Sequence, residues 1–180
     1  MRNFPGRTSA TPVLAALAMA VSLNAAALAP AGAVEIERVV SPGGIEAWLV
    51  SEPAVPLVSI QFAFDGGASQ DPAGKPGVAN LLSTLLDEGA GELRAAEFQE
   101  RLETLAIELS FDAGRDAFYG DLRTLTENLD EAVELLRLAI NEPRFDDDAI
   151  VRMRAQMLAS LRRELQDPEA VAGRQWSRLV

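Results

Sequence analysis

Apolar residues in this 180-residue sequence change their spacing several times, and the order of those changes limits the folds that are open to the chain. Every second residue from Val58 to Phe64 is large and apolar, which is the pattern of a strand with one buried face. Two earlier segments have a similar β-like composition and are bounded by Pro and Gly turn signals. The three predicted strands are residues 36–40, 45–51 and 57–65.

Helical spacing, with an apolar residue every three or four positions, dominates the rest of the chain. Two further strand-like segments interrupt it. The predicted helices are one that begins near Pro76 and stops at Gly89, then residues 95–107, 129–140 and 147–166, and the predicted strands are residues 108–113 and 117–125. This order of strands and helices predicts an α+β fold in which helices cover an antiparallel-rich sheet.

The first predicted helix carries three polar residues on one face. Asn80, Ser83 and Thr84 stand at positions i, i+3 and i+4, opposite an apolar stripe that runs from Val78 to Leu86. The same spacing occurs in His-x-x-Glu-His, in which two histidines bind zinc and the glutamate is the general base. All three of those groups are missing here. We expect the polar face to border either solvent or a cleft.

The residues around this helix resemble the start of the M16 (insulinase or pitrilysin) peptidase family. In that family an apolar strand is followed by a Gly-containing turn, an acidic loop and then Gly-x-Ala-His-x-x-Glu-His. Residues 62–71 and 77–79 fit the first part of this order. The resemblance then places Asn80 and Thr84 at the two histidine positions and Ser83 at the glutamate position.

The resemblance continues through Glu127–Leu136 and Asn141–Asp146. The next helix of the family carries two acidic residues seven positions apart, and the second completes the zinc shell. The resemblance places Met153 and Ser160 at these positions. It implies an M16 metallopeptidase-like (LuxS/MPP-like) module at residues 34–180 that is truncated, being incomplete at its C-terminal end.

The complete absence of histidine and cysteine limits the chemistry of any site. Zinc is normally held by His nitrogen or Cys sulfur, and a Ser-His-Asp triad or a Cys nucleophile needs the same residue types. Asn80, Ser83 and Thr84 are neutral and cannot accept a proton as a carboxylate base does. We therefore expect no catalytic residue, metal or cofactor in this chain. The resemblance implies that zinc belongs to an active partner.

Two other groups of residues are better explained by structure than by ligand binding. Asp146, Asp147 and Asp148 stand at the start of a predicted helix, where acids cap the first turn and interact favourably with the helix dipole. A calcium loop would need alternating ligands and a central Gly, which this run lacks. Met153 and Met157 lie at helical spacing and are expected to fill the core.

Residues 1–33 are typical of a secretory signal peptide, with a basic start, an apolar stretch and a cleavage site after Ala33. The alternative is a membrane anchor, but the strongly apolar part is shorter than the about 20 residues that span a bilayer. Cleavage would give a periplasmic or secreted protein with no stable membrane span. A net charge of −11 argues against binding to nucleic acid or anionic lipid.

These observations predict a secreted, non-catalytic M16-family subunit. The resemblance implies that it pairs with a homologous, His-x-x-Glu-His-containing peptidase. In that pair it would shape the peptide-binding chamber or hold extended peptides along a sheet edge. One alternative is an active zinc metalloendopeptidase whose site is misaligned here or lies outside the sequence. A second is a structural, core-type subunit of a membrane complex.

Overall fold

The computed structural model describes residues 35–177, so the predicted signal peptide at residues 1–33 lies outside the described residues. The described residues divide into two compact units, with the boundary between Pro53 and Ala54. None of the helices between residues 35 and 177 is long and apolar enough to cross a membrane.

The described part of the first unit is an antiparallel hairpin of β1 (Ile36–Val40) and β2 (Glu46–Val50). The Arg38 guanidinium donates to both carboxylate oxygens of Glu46, at 2.6 and 2.5 Å. The Trp48 indole N–H also donates to Glu46, at 3.2 Å. One carboxylate therefore ties together two side chains of the hairpin.

The second unit is built on a three-stranded antiparallel sheet in the order β3–β7–β6. Its strands are β3 (Leu57–Asp65), β6 (Glu108–Ala113) and β7 (Ala117–Leu125). The other elements of the unit are α1 (Val78–Ser83), β4 (Gly89–Ala90), β5 (Leu93–Arg94), α2 (Ala95–Thr104), α3 (Leu129–Asn141), α4 (Asp147–Gln166) and α5 (Pro168–Ser177). The predicted α+β class, with helices on an antiparallel sheet, is confirmed.

The largest difference from the predicted bounds is at α1, which ends at Ser83 instead of continuing to Gly89. The chain then tightens into turns, with the Leu85 N–H donating to the Leu82 carbonyl and the Glu88 N–H to the Leu85 carbonyl. These turns bury Leu85 and Leu86, which are only 5% and 7% exposed. Packing of the two leucines therefore accompanies the early end of the helix.

The other boundary errors are smaller. Helix α2 ends at Thr104 instead of residue 107, because Ala106 has a left-handed backbone with φ of 50° and Ile107 turns into the core. Strand β2 is one residue shorter at each end than predicted, and α3 extends one residue further, to Asn141.

The core lies between one face of the sheet and helices α2 and α3. Pairing of the strands places Ile60, Leu122 and Leu109 side by side on that face. Gly120 lies opposite Phe62, and a Cβ at position 120 would be 2.1 Å from the Phe62 ring. The ring occupies the space over the glycine. The helices contribute Phe98, Leu102, Ala132, Leu135 and Ala139.

Thr124 is a buried polar residue on the same face of β7. It is 1% exposed, and its hydroxyl has no hydrogen-bond partner among the described residues. An unpaired buried hydroxyl costs free energy that a methyl group of the same shape does not. We expect Thr124→Val to raise the free energy of unfolding by about 1 kcal/mol, measured by urea denaturation. The matched change Thr104→Val, at an exposed helix end, should leave stability nearly unchanged, and equal effects of the two would contradict the explanation.

Candidate functional site

Helix α1 is fixed at its N-terminus by an acid from the preceding loop. The Asp71 carboxylate accepts the backbone N–H of Gly77 at 2.5 Å and that of Ala79 at 2.8 Å. Gly77 has φ of 94°, a left-handed conformation that glycine adopts without strain. The N–H groups of Ala79 and Gly77 stabilise the anion and lower the pKa of Asp71. The loop and helix that resemble the zinc motif are thus held together in this chain.

The interaction of Asp71 makes a pH-dependent contribution to stability. Because the folded pKa is lowered, the stabilisation is complete above the ordinary Asp pKa of about 3.9 and is lost as the pH falls through the folded value. We expect Asp71→Asn to lower the free energy of unfolding at pH 7, with a difference from wild type that shrinks below about pH 3.9. Urea denaturation of both proteins at pH 7 and again below about pH 3.9 measures the two differences in stability. Asp112→Asn, which removes an exposed acid, is the control, and a difference that is independent of pH would contradict the assignment.

Two of the three predicted motif positions, Asn80 and Ser83, lie on α1, and Thr84 is the residue that caps its C-terminal end. Asn80 is exposed, Thr84 is half-buried and Ser83 is 8% exposed. The Ser83 hydroxyl donates to the Asn80 carbonyl and the Thr84 hydroxyl to the Leu81 carbonyl, both at 2.9 Å. Both hydroxyl protons are therefore engaged with the backbone of their own helix, and no titratable group occupies these positions.

The predicted division of α1 into a polar and an apolar face is partly wrong. Ser83 from the polar set is buried, whereas Val78 from the apolar set is 45% exposed. The reason is that the sheet and the turns after the helix cover the end of α1, while Val78 lies at its uncovered start.

The fourth predicted position, Ser160, lies half-buried on α4, as does Met153. Helix α4 contacts α1. Arg152 of α4 also forms an ion pair with Glu88, in the turns that follow α1. The two elements at which the sequence predicts former zinc positions, α1 with its C-cap and α4, are therefore neighbours. Within residues 35–177, no group of three or more acidic, His or Cys residues could hold a metal ion.

Asp87 is the carboxyl that continues the polar positions of α1 along the sequence. Burial raises the pKa of Asp87, and the Gln99 side-chain amide donates to its backbone carbonyl at 2.9 Å. A raised pKa is a property of many catalytic acids and bases. A single carboxyl without metal ligands beside it does not, however, reproduce the chemistry of His-x-x-Glu-His.

The predicted capping by Asp146 is wrong in its atomic detail. Asp146 stands at the N-cap of α4, but its side chain makes no capping hydrogen bond. Its carboxylate instead accepts from Arg144, at 2.9 and 3.2 Å, and this pairing lowers the pKa of Asp146. Arg144 also donates to the Gly91 carbonyl at 3.0 Å. The guanidinium therefore competes successfully for the acid that precedes the helix.

The predicted apolar stripe of α4 is only partly buried. Met153 and Met157 are half-buried, consistent with core filler, but Leu161 and Leu165 are 48% and 67% exposed. The first half of α4 lies against the turns after α1, where Arg152 meets Glu88. The second half has less of the described chain to pack on, so helical spacing alone overestimated its burial.

Strand β6 forms an edge of the sheet, because β7 is its one strand partner among the described residues. The Gly114 N–H donates to the Ala117 carbonyl at 3.0 Å where the β6–β7 hairpin closes. By the alternation of an antiparallel ladder, Leu109, Phe111 and Ala113 direct their backbone groups away from β7. Such an edge can accept another extended strand through main-chain hydrogen bonds, and α1 contacts the same strand.

Comparison with known protein families assigns the class of this chain. Residues 47–175 match the family described as insulinase (peptidase family M16). The chain belongs to this family, as the motif order predicted.

A curated relative and a solved structure that are similar to this chain both have names that describe them as inactive. The chain is 34% identical over 118 residues to a Helicobacter pylori protein named non-peptidase homolog YmxG, covering 66% of this chain and 27% of that protein. It also resembles the crystal structure of a peptidase M16 inactive domain from Pseudomonas fluorescens, with a TM-score of 0.71 and 25% identity, over 78% of this chain and 34% of that one. Both findings fit the predicted non-catalytic M16 member.

A second solved structure supports the fold alone. It is a protease from Helicobacter pylori, with a TM-score of 0.60, 21% identity and coverage of 73% of this chain and 31% of that one. The chain thus spans about a third of the length of the matched structures and 27% of the curated relative. The roles of Asn80, Ser83, Thr84 and Ser160 as former zinc positions stay predictions.

Proposed function

We propose that this chain acts as a secreted, non-catalytic M16 subunit that pairs with an active zinc peptidase and helps to form its peptide-binding chamber. The observation that carries the proposal is that the backbone elements around the predicted motif are present while its catalytic side chains are missing. Helix α1, its Asp71 cap and the neighbouring β6 edge are all formed. The side chains of Ser83 and Thr84, by contrast, are neutral and bonded to their own helix.

The contribution to peptide binding would come from the edge of β6. An extended peptide added there would gain main-chain hydrogen bonds without any catalytic group in this subunit. The net charge of −11 would favour basic over acidic peptides at long range. The partner would supply zinc, the attacking water and the general base. Export with cleavage after Ala33 would place both proteins in the periplasm or outside the cell.

Reconstitution tests the proposal. The full-length gene product is co-expressed with a His-x-x-Glu-His-containing M16 protein from the same organism, and the complex is compared with each protein alone. We expect stable co-purification, peptide cleavage that is faster in the complex, and no cleavage by this protein alone. Zinc-dependent cleavage by this protein alone would instead support the active-enzyme alternative. Co-purification only with membrane complexes would support a structural subunit.

A variant of the β6 edge tests the peptide-binding part. Ala113→Pro removes an N–H that points away from β7, so it takes a donor from an added peptide without removing a bond of the sheet. We expect this variant to form the complex but to lose the gain in cleavage. Ala113→Ser keeps the N–H and is the matched control. Equal cleavage by complexes of both variants would exclude peptide binding at this edge.

A further inference from the structure

Helix α4 has one covered side and one exposed apolar side. The covered side is buried or half-buried and contains Ala149, Ile150, Met153, Met157 and Ser160. Roughly a third of a turn further round the helix axis lies a second row of residues, which we call the outer seam. Every member of the outer seam is exposed, and its members are Val151, Arg154, Leu158, Leu161 and Leu165.

The outer seam has the spacing of a coiled-coil contact. Its residues follow one another at intervals of three, four, three and four positions, which is the alternation of the a and d positions of a heptad. The helix is continuous over Asp147–Gln166, so the seam keeps to one face for about 21 Å. Val151 is 69% exposed and Leu158 is 44% exposed, so the described residues leave much of this row in water. A row of this kind fits a second helix.

Arg154 is the one charged residue in the outer seam, and Arg162 borders it. Arg162 stands four positions after Leu158 and three before Leu165, which places it beside them on the helix surface. Neither arginine side chain makes a hydrogen bond or ion pair with a residue from 35 to 177. An arginine can lay its stem along an apolar partner while its guanidinium reaches the edge of the contact. Covering it is favourable only if a carboxylate meets it there, so the occupant should carry acidic residues beside its apolar row.

Two other occupants fit the outer seam less well. Parallel pairing of two copies of the chain would put the Arg154 side chains opposite each other, and antiparallel pairing would put Arg154 opposite a leucine. A membrane surface suits a helix with a broad apolar face, whereas the outer seam is a narrow row with an arginine among its leucines. The spacing and the charge together favour a helix with acidic edges.

We propose that the outer seam binds an amphipathic helix of a partner protein. The apolar a and d residues of that helix pack on Leu158, Leu161 and Leu165, and its flanking carboxylates pair with Arg154 and Arg162. The covered side of α4 is the one that packs on the rest of the unit, so this docking uses neither the predicted motif nor the β6 edge. It is therefore independent of the proposed pairing with a peptidase.

Two synthetic helices test the preference for acidic edges. Each peptide has three heptads with Leu at positions a and d, and carries either Glu or Lys at positions e and g, where like charges keep it from pairing with itself. The full chain is titrated into each fluorescein-labelled peptide at pH 7, and anisotropy is followed. We expect the acidic peptide to bind, with an affinity that falls as salt is added. The acidic surface elsewhere on the chain attracts the basic peptide without the seam, so the decisive quantity is the binding that a seam variant removes.

A pair of glutamine variants locates the binding on α4. Leu161→Gln removes an apolar member of the outer seam, whereas Ala159→Gln places the same side chain on α4 outside the seam. Both positions are exposed, so both variants should keep the circular dichroism spectrum of the wild type. We expect Leu161→Gln to weaken binding of the acidic peptide about tenfold and Ala159→Gln to leave it unchanged.

A pair of charge reversals tests the role of Arg154. Arg154→Glu and Arg163→Glu change the net charge equally, but only the first lies in the outer seam. We expect Arg154→Glu to weaken binding of the acidic peptide about tenfold and Arg163→Glu to change it little. Absence of acidic-peptide binding, equal effects of the two reversals, or unchanged binding by Leu161→Gln would each overturn the proposal.

Two further measurements separate the other occupants. Sedimentation equilibrium of the chain alone should show a monomer, and a dimer that Leu161→Gln dissociates would overturn the proposal in favour of a second copy. Co-sedimentation with phosphatidylglycerol vesicles should show no binding. Vesicle binding that is lost in Leu161→Gln would overturn it in favour of a membrane surface.

Discussion

The triple variant Asn80→His, Thr84→His, Ser160→Glu is expected to bind one zinc ion per chain. Imidazoles at positions 80 and 84, four residues apart across the end of α1, would share one helical face, as zinc requires of neighbouring ligands. Helix α4 contacts α1, and the family resemblance predicts that a carboxylate at position 160 would complete a three-ligand site. Ser83 is left unchanged because it is buried and its hydroxyl bonds to the helix backbone. The variant therefore tests the metal positions without a general base.

Zinc binding by the triple variant and by two further variants is measured by metal analysis and by titration against a zinc indicator. The double variant Asn80→His, Thr84→His should bind zinc about 10-fold to 100-fold more weakly than the triple variant, because it lacks the third ligand. A second triple variant carries Met153→Glu in place of Ser160→Glu and serves as the matched control. Equal affinities of the two triple variants would show that Ser160 is not the former ligand. If the double variant fails to bind zinc, the positions assigned to Asn80 and Thr84 are wrong.

The sequence was most predictive where a repeating pattern and two clear boundaries coincided. The predicted bounds of β3, β6, β7 and α4 agree with the structure residue for residue. In each sheet strand, alternation continues until a Gly or Pro turn or a change to helical spacing ends it. The membership in the M16 family followed from the order of motifs along the chain, which is itself a sequence property.

Prediction was weaker wherever tertiary contacts decide between equivalent local choices. Asp71 contacts residues six and eight positions further on, a spacing that no regular capping pattern marks. Asp146 could equally have capped α4 or paired with Arg144, and the second arrangement is the one found. The sequence also did not predict the end of α1 at Ser83. Leu85 and Leu86 continue the helical spacing, but turns bury them instead of a longer helix.

The candidate site likewise has one part that the sequence predicted and another that it did not. Spacing sufficed to identify Asn80, Ser83 and Thr84 as one group, because residues three and four apart in helical backbone share a face regardless of the fold. A cavity of about 490 Å³ that α1 helps to line was not foreseen, since its phenylalanines come from β3, β6, β7 and the segment before α4. As isolated residues in a sequence they are typical core residues. Only the packing of the elements shows that Phe64 and Phe145 remain substantially exposed.

The contrast between Phe98 and Phe145 gives the largest stability difference expected from a single type of substitution. Phe98 of α2 is 0% exposed and belongs to the central core cluster, whereas Phe145 is 38% exposed at the cavity. Truncation of a buried Phe loses its transfer free energy and leaves a void, so Phe98→Ala should lower the free energy of unfolding by about 3–5 kcal/mol.

The same truncation at Phe145 removes a side chain that is already partly in water, and should cost about 1 kcal/mol or less. Urea denaturation of both variants at pH 7 measures the difference, with equal slopes against urea as the check that each unfolds from a similar native state. Comparable losses from the two substitutions would mean that Phe145 packs into the core.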